Sequence, residues 1–575
     1  MSLTISALAL ALCMFALSVR GQQRAAQRSE PQFQTPNLLT FDELVSLSST
    51  AKPSGDLAVH LDNVLSEPFV SNEASAEGIE PHRPDVASLG PVLRVASWNI
   101  ERGLNFDLIR AALTDPEEFR HLAPNQKQIN AARKASIESQ LATLQAVDVL
   151  VLNEVDFGMK RTGYRDVARE LAAALQMNYV YGVEFVEVDP VFDLGTEQVH
   201  LADPRQDARL QQDLQIDRVR YHGLHGTAVL SRYSIRSARI VRLPICYDWY
   251  AQEAKQIAKL EKGKRWAAHS LFKERVEREV RQGGRMALIV DLAIPELPSG
   301  EATIVATHLE NKCAPECRRK QMTALLNTLK NDSNPVVLAG DLNTTGTSNT
   351  PSSVRNEIMS RVTDYKFWTK QAISHFNPLG IYQYALFPVH YLHGYNDPTT
   401  LNLPIIWEHR ERPLFKAVEK FRFADGRTFD FRGDPSRSLR EKGKTLADSN
   451  ERGRKGFVPT YAFSRDYWGL VGRYKLDWFF VKPFVTDPRR AGQSDAFAPH
   501  FAETMRELNE SVDDRLSDHP PMTVDLPLRE PTTVASAIAM VKSPSGNRYD
   551  LLETDESKAS GTRQNSASQG SKRPH

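Results

Sequence analysis

The chain has 575 residues, 41% hydrophobic and 25% charged, which is ordinary soluble globular usage and leaves room for a large core. Lys and Arg number 72 against 71 Asp and Glu, a formal charge of +1. That balance excludes a global basic field of the kind that drives general binding to nucleic acid or anionic membranes.

The first segment, residues 1–21, holds the apolar run Leu3–Val19, broken by Thr4, Ser6 and Ser18 and followed by Arg20 and Gly21. It reads as a secretory signal peptide cut after Gly21, with an uncleaved N-terminal anchor as the alternative and a buried helix as a third reading. No Lys or Arg precedes the run, and Cys13 lacks the small neighbour that a lipoprotein anchor requires. The implied location is secreted or periplasmic, or else membrane-anchored through this segment.

Residues 22–90 are rich in Ser, Pro and Gln and read as a linker, largely disordered, with one brief helix near Phe41–Leu47. Beyond it come apolar runs of strand length: Val92–Trp98, Val147–Leu152, Gly226–Leu230, Met286–Leu292, Thr303–Thr307, Val336–Gly340, Leu476–Val481 and Met522–Val524. Near-continuous Val, Ile and Leu over four to eight residues is the pattern of strands buried on both faces. Amphipathic helical spacing marks Asn130–Ala146, Arg165–Gln176 and Arg318–Leu329. Sheets covered by helices would bury such strands.

Residues 354–461 lie between two motif strands and are long for a loop, so they read as an insertion with its own structure, a lid over a site. They carry the aromatic cluster Tyr382, Tyr384, Phe387, Tyr391 and Tyr395, whose simplest use is the insertion's own core. Residues 528–575 are poor in aromatics and read as a disordered tail with a short helix near Val534–Val541. No internal repeat is present. Outside the leading segment the cysteines are Cys246, Cys313 and Cys317. Cys313 and Cys317 read as reduced or locally bridged, with one cysteine left over, and their CxxxC spacing is a poor zinc signal.

Polar groups gather where the apolar runs end. Asn99 follows the first, Asn153-Glu154 the second, His308-Leu309-Glu310-Asn311 the fifth, and Gly340-Asp341-Leu342-Asn343 the sixth. Leu476-Asp477-Trp478 opens a later strand, and Ser517-Asp518-His519-Pro520 precedes the last. Each alone has a bland reading: an Asx-turn, a helix cap or a structural histidine. Their joint occurrence, in one order and each at the end of a buried-strand pattern, points to side chains converging on one pocket. The inventory suits phosphodiester hydrolysis. Glu154 is the primary oxygen ligand for a hard divalent cation, with Asn99 as partner. His519 is the candidate base and Asp477 its orienting carboxylate. Asp341 and Asn343 would bracket the phosphorus and its nucleophile, and His308 would stabilise a phosphoryl oxygen or protonate the leaving group.

In this order the motifs Trp98-Asn99, Asn153-Glu154, Gly226 to Arg232, Thr307-His308-Leu309, Gly340 to Asn343, Leu476-Asp477-Trp478 and Ser517 to Pro520 resemble those of the endonuclease/exonuclease/phosphatase superfamily, in its secreted bacterial type. The resemblance covers 91–527, with the insertion inside it. It implies an α/β fold (α+β), a DNase I-like four-layer α/β/β/α sandwich of two mainly antiparallel sheets. It further implies Mg²⁺, with Mn²⁺ or Ca²⁺ as substitutes, held by Glu154 and Asn99 with Asp518 near the metal. Asp477 and His519 would form a dyad, and Asn311 would lie behind the site. The expected partner is a phosphodiester, either nucleic acid or a lipid or inositol phosphoester; no protein partner is evident, and a monomer is expected. The contrasting reading is a non-catalytic binding module, which predicts substitution at Glu154, Asp341 or His519. None of these is substituted.

Overall fold

The computed structural model describes residues 36–86, 90–123, 130–188, 216–253, 280–346, 409–431, 449–453, 456–462, 473–483, 501–512 and 515–528. The leading apolar run, the tail and the aromatics Tyr382 to Tyr395 lie outside them. No helix among the described residues is long and apolar enough to cross a membrane.

In chain order the strands are β1 (Phe69–Ser71), β2 (Asp85–Val86), β3 (Gly90–Arg102), β4 (Val149–Phe157), β5 (Asn178–Glu187), β6 (Leu224–Ser231), β7 (Ile235–Arg242), β8 (Arg281–Gly283), β9 (Met286–Ala293), β10 (Glu301–Thr307) and β11 (Val336–Asp341). Two short ribbons follow, β12 (Arg452–Gly453) with β13 (Gly456–Phe457), and β14 (Tyr461–Ala462) with β15 (Arg473–Tyr474). The chain then forms β16 (Asp477–Lys482), β17 (Phe501–Thr504) and β18 (Met522–Pro527). Each of the eight apolar runs falls on a strand.

One sheet runs β1-β5-β6-β4-β3-β18-β17, with β2 and β8 beside β3 and β5. The other runs β16-β11-β10-β9-β7. Pairing is antiparallel except for β3 with β4 and β10 with β11. Alternation along each strand separates two faces. On the first sheet Trp98, Ile100, Leu150, Leu152 and Leu230 share a cluster with Ile109, Ile137, Leu141 and Leu171, which come from the helices Phe106–Thr114, Ala131–Gln145 and Val167–Leu175. On the second, Ile289, Val305, Leu338, Trp478 and Phe480 pack on Met322 and Leu325 of Pro315–Leu329 and on Leu414 and Phe415 of Arg412–Lys420. The intervening residues, Val95, Val151, Val290, Ile304, Val337 and Phe479, are buried on the opposite faces. There β3, β4 and β6 meet β10 and β11. The layers are therefore helix, sheet, sheet, helix, as the resemblance implied.

Two expectations change. Residues 36–86 are no linker. Thr40 caps the helix Phe41–Ser49 through a reciprocal pair with Glu43, and the helix Gly55–Ser66 follows. Leu44, Leu47 and Val64 are fully buried, and Phe69 pairs with Tyr181 at the sheet edge. Their apolar residues sit at helical spacing inside a polar composition, which hides them from a compositional reading. The cysteines also pair differently: Cys246 joins Cys317, and Cys313 is free. The loop ahead of Pro315 turns the Cys313 thiol inward, 3.4 Å from the Glu310 carbonyl, while Cys317 in the first turn of the helix meets Cys246.

Within 354–461, the helix Arg412–Lys420 lies on the outer, helical side of the second sheet. Glu411, the residue before it, is fully buried against the Arg318 guanidinium and accepts from the Gly346 N–H at 3.1 Å. This part covers a core rather than a pocket; the aromatic stretch of the expected lid lies outside the described residues.

Candidate active site

Strand register sets the site. Parallel pairing puts Ala306 beside Ala339, so His308 and Asp341, each two residues further on, leave the sheet side by side. Antiparallel pairing puts Asp341 opposite Asp477, and on the other sheet Asn99 stands beside Asn153. All of these belong to the faces turned toward the gap between the sheets. Hydrogen bonds close that gap: Asn99 Nδ2 donates to Asp341 Oδ2 at 3.2 Å, and the Asp341 N–H donates to Asn153 Oδ1 at 2.9 Å. Gly340 makes the approach possible. Its φ is 140°, and a Cβ there would stand 1.9 Å from the Thr307 carbonyl oxygen.

Glu154 depends on a break in alternation. Even-numbered Leu150 and Leu152 face the helices, so an unbroken strand would bury the Glu154 carboxylate among them. Instead the register shifts between Leu152 and Val155, Glu154 takes φ 53°, and Val155 fills the apolar face. The neighbouring strand shifts between Asn99 and Arg102, with Glu101 at 48° and Arg102 at 66°. Bulges beside functional sites re-aim side chains in this way, and left-handed residues outside glycine carry strain that the surroundings must hold. Burial pushes the Glu154 carboxyl up, but Arg102 first, then His308, His225 and His519, outweigh it and hold the group well below the usual carboxylate range.

His519 comes from the turn before β18. Trp98 Nε1 donates to its carbonyl at 2.8 Å, and Ser517 Oγ donates to the Asn99 carbonyl at 2.7 Å, pinning the turn to β3. The His519 ring is buried, its Nδ1 lies 2.7 Å from Asp477 Oδ2, and Tyr461 covers it at 5.0 Å between ring centroids. Nε2 faces Asp341 Oδ2 at 3.8 Å and Asp518 Oδ1 at 4.0 Å. Burial alone would lower its pKa; Asp477, Asp518 and Asp341 together push it up to about 10. The Asp341 carboxyl is pushed up to about 7, by burial first, against the opposing charge of His519 and with Asp477 adding to the rise. Asn343, at φ 51°, donates through Nδ2 to the Leu309 carbonyl at 3.0 Å, and its N–H donates to Asp341 Oδ1 at 2.8 Å.

The structure thus brings His519, Asp477, Asp341, Asn343, His308 and Asn99 into one contact network. Asp518 stands at its rim, its side chain about a quarter exposed. Glu154 joins it electrostatically through His519 and His308. Asp341, Asp477 and His519 also form one of two groups among the described residues whose ligand atoms lie within 4.8 Å of one another; the other is the three cysteines. Internal hydrogen bonds already engage the first group and a disulfide the second. The oxygen set expected from sequence, Glu154 and Asp518 with the Asn99 amide oxygen, has the donor chemistry that a hard divalent cation takes. Glu154 is kept ionised, and Asn99 Oδ1, which accepts from the Glu101 N–H at 3.1 Å, retains a second lone pair.

Sequence reading passed over several members of this network. Thr460 Oγ1 accepts from the Asp477 N–H at 2.9 Å, and Tyr461 covers His519. Both close the insertion and carry no local signature. Arg285, which donates to His308 Nδ1, and Glu184, which holds Arg285, carry no local signature either.

The sequence model of the Endonuclease/Exonuclease/phosphatase family matches residues 96–519. This spans roughly three quarters of the chain and every residue above, and the chain belongs to that family. No curated protein sequence matches it. Among solved structures it is similar to an endonuclease/exonuclease/phosphatase from Beutenbergia cavernae DSM 12333, with 18% identity, 76% of this chain and 71% of that one covered, and a TM-score of 0.30. It is also similar to the human Nocturnin catalytic domain with bound sulfate anion, at 13% identity, 78% and 98% coverage and a TM-score of 0.31. A third is Sphingomyelinase C from Streptomyces griseocarneus, at 13% identity, 76% and 99% coverage and a TM-score of 0.28.

Proposed function

We propose that this protein is a divalent-metal-dependent phosphodiesterase. One observation carries the reading: His519 Nδ1 is held by Asp477 at 2.7 Å, which leaves Nε2 facing the gap that Asp341, Asn343, Asn99 and His308 line. Asp477 fixes the tautomer with the proton on Nδ1 and stabilises the imidazolium that forms. Nε2 takes a proton from water as its oxygen bonds to phosphorus, and the bond from phosphorus to the alcohol oxygen breaks on the opposite side. Asp341, 3.8 Å from Nε2, orients that water, and the amides of Asn343 and Asn99 hold Asp341 in place. Glu154, Asp518 and Asn99 would hold Mg²⁺, with Mn²⁺ or Ca²⁺ as substitutes. When bound, the cation polarises a phosphoryl oxygen and offsets the surplus of carboxylate around His519.

The enclosed base, held by Asp477 and facing Asp341, supports direct attack by water on phosphorus. Localisation outside the cytoplasm is supported by the Cys246–Cys317 disulfide, a bond that persists in oxidising compartments, together with the apolar run Leu3–Val19. The test is turnover of bis-p-nitrophenyl phosphate by the full chain with Mg²⁺, against His519→Ala as the blank. Turnover abolished by chelator and restored by Mg²⁺ is expected. Equal rates in the parent and the blank, or no effect of chelator, would overturn the reading. Plasmid DNA, RNA, sphingomyelin, phosphatidylinositol and inositol phosphates then sort the substrate class.

A further inference from the structure

His308 and His519 face the same carboxylate from two sides. His308 Nε2 lies 3.7 Å from Asp341 Oδ2 and His519 Nε2 lies 3.8 Å from it. What stands behind each ring differs. Behind His519 is the Asp477 carboxylate, an acceptor. Behind His308 is the Arg285 guanidinium, with NH1 2.6 Å from Nδ1. A guanidinium has five N–H donors, no acceptor, and keeps its charge at any pH a protein survives. The bond can run only from Arg285 to the lone pair on His308 Nδ1. The single proton of a neutral imidazole then sits on Nε2. A protonated ring would set an N–H against the Arg285 N–H.

Arg285 has little freedom to do otherwise. The same NH1 donates to Glu184 Oε2 at 2.6 Å, which uses both of its hydrogens. Glu184 Oε1 accepts from Thr227 Oγ1 at 2.6 Å, and Thr227 Oγ1 accepts from Asn153 Nδ2 at 3.1 Å. Arg285 Nε lies 3.6 Å from Glu310 Oε2, which Trp249 Nε1 holds at 3.1 Å, and the guanidinium lies over the Phe185 ring at 5.2 Å. Glu184 Oε2 is 3.6 Å from His308 Nδ1, too far to hydrogen-bond. Burial first, and then Arg285, holds the His308 pKa well below its ordinary value. His308 is 1% exposed, and its Nε2 has no hydrogen-bond partner among the described residues.

We propose that Arg285 is a positioning residue that locks His308 as a neutral imidazole with its proton on Nε2, so that His308 serves as a fixed hydrogen-bond donor to a phosphoryl oxygen rather than as an acid that protonates the leaving group. The donor role rests on the phosphodiesterase reading; the lock does not. The two histidines thus divide the work by opposite tautomers. With the cation bound, His519 would turn a lone pair toward the gap, while His308 turns an N–H.

The lock is read from the full chain labelled with ¹⁵N-histidine, by long-range ¹⁵N–¹H correlation between about pH 5 and pH 8, with the His308→Ala spectrum giving the assignment. An unprotonated Nδ1 and a protonated Nε2, unchanged across the range, are expected. A protonated Nδ1, or a ring that gains a second proton, overturns the proposal. Arg285→Lys, whose ammonium can still donate, keeps the pattern; Arg285→Met releases it and lets the ring titrate. The donor role is read from aryl and alkyl phosphodiesters of increasing leaving-group pKa. His308→Ala loses about 10²–10³-fold at every leaving group, the loss typical of one charge-stabilising donor. A loss that vanishes for p-nitrophenoxide and grows with leaving-group basicity identifies an acid and sinks the donor. A parent without turnover removes the phosphodiesterase reading and the donor role with it, while the spectra still decide the lock.

Discussion

Asn153 Oδ1 accepts the backbone N–H of Asp341 at 2.9 Å, across the gap between the two sheets. The same amide donates to the Thr307 carbonyl at 3.2 Å and to Thr227 Oγ1 at 3.1 Å. One fully buried side chain therefore ties β4 to β6, β10 and β11 at the level of the site.

Asn153→Ala should strand the Asp341 N–H and leave the Thr307 carbonyl short of a partner. At about 1–3 kcal/mol for each buried group left unsatisfied, the variant should lose several kcal/mol. Denaturant unfolding measures it. A change below about 1 kcal/mol would mean that the sheets are not joined through this amide.

His519→Ala and Asp477→Asn test the dyad. Loss of a general base costs about 10²–10⁴-fold, and loss of its orienting carboxylate reaches a similar size through the wrong tautomer. The double variant should be little worse than either single one, because the two act as a unit. Rates on bis-p-nitrophenyl phosphate at saturating Mg²⁺ give the comparison, and multiplicative losses would separate the pair.

Asp148 gives a pH signature in stability. Burial pushes its carboxyl from 3.8 up to about 6, against the backbone N–H groups of His82 and Arg83 and the charge of Arg232. A proton held more tightly in the folded state adds stability that is fully present below the unfolded pKa and is lost as pH rises through the folded one. Asp148→Asn does not titrate. Relative to the parent it should gain stability between about pH 4 and pH 7, by up to roughly 3 kcal/mol for a shift near two units. Urea midpoints across that range measure the difference, and a flat difference would show that Asp148 titrates normally.

The Cys246–Cys317 disulfide joins residues 71 apart. Chain-entropy arguments give a closure of that length about 4 kcal/mol. Cys246→Ser with Cys317→Ser should lower the melting temperature by several degrees and leave Cys313 as a buried thiol that reacts slowly with a thiol reagent. An unchanged melting temperature would place the bond outside the cooperative unit.

The fold was legible because its strands are buried on both faces and spell themselves as unbroken apolar runs, with Asn99, Glu154, His308, Asp341 and His519 marking where each leaves the core. Three features escaped for physical reasons. The backbone at Glu154 departs from period two, and nothing in Leu152-Asn153-Glu154-Val155 announces a left-handed residue. Arg285 acts through a partner 23 positions away, so neither residue advertises the other. One brief helix was legible near Phe41–Leu47, but the helix Gly55–Ser66 and the burial of both in the core of the first sheet were not, because both are short and dressed in polar residues.

The left-handed turn at Glu154 makes strand length a chemical variable. Residues before it keep one phase of the pleat and those after it another, so the carboxylate sits at the seam between two phases. Straightening the strand there with every residue kept would point an acid into hydrocarbon. Irregularity at this position is the condition under which the strand can carry the charge of Glu154.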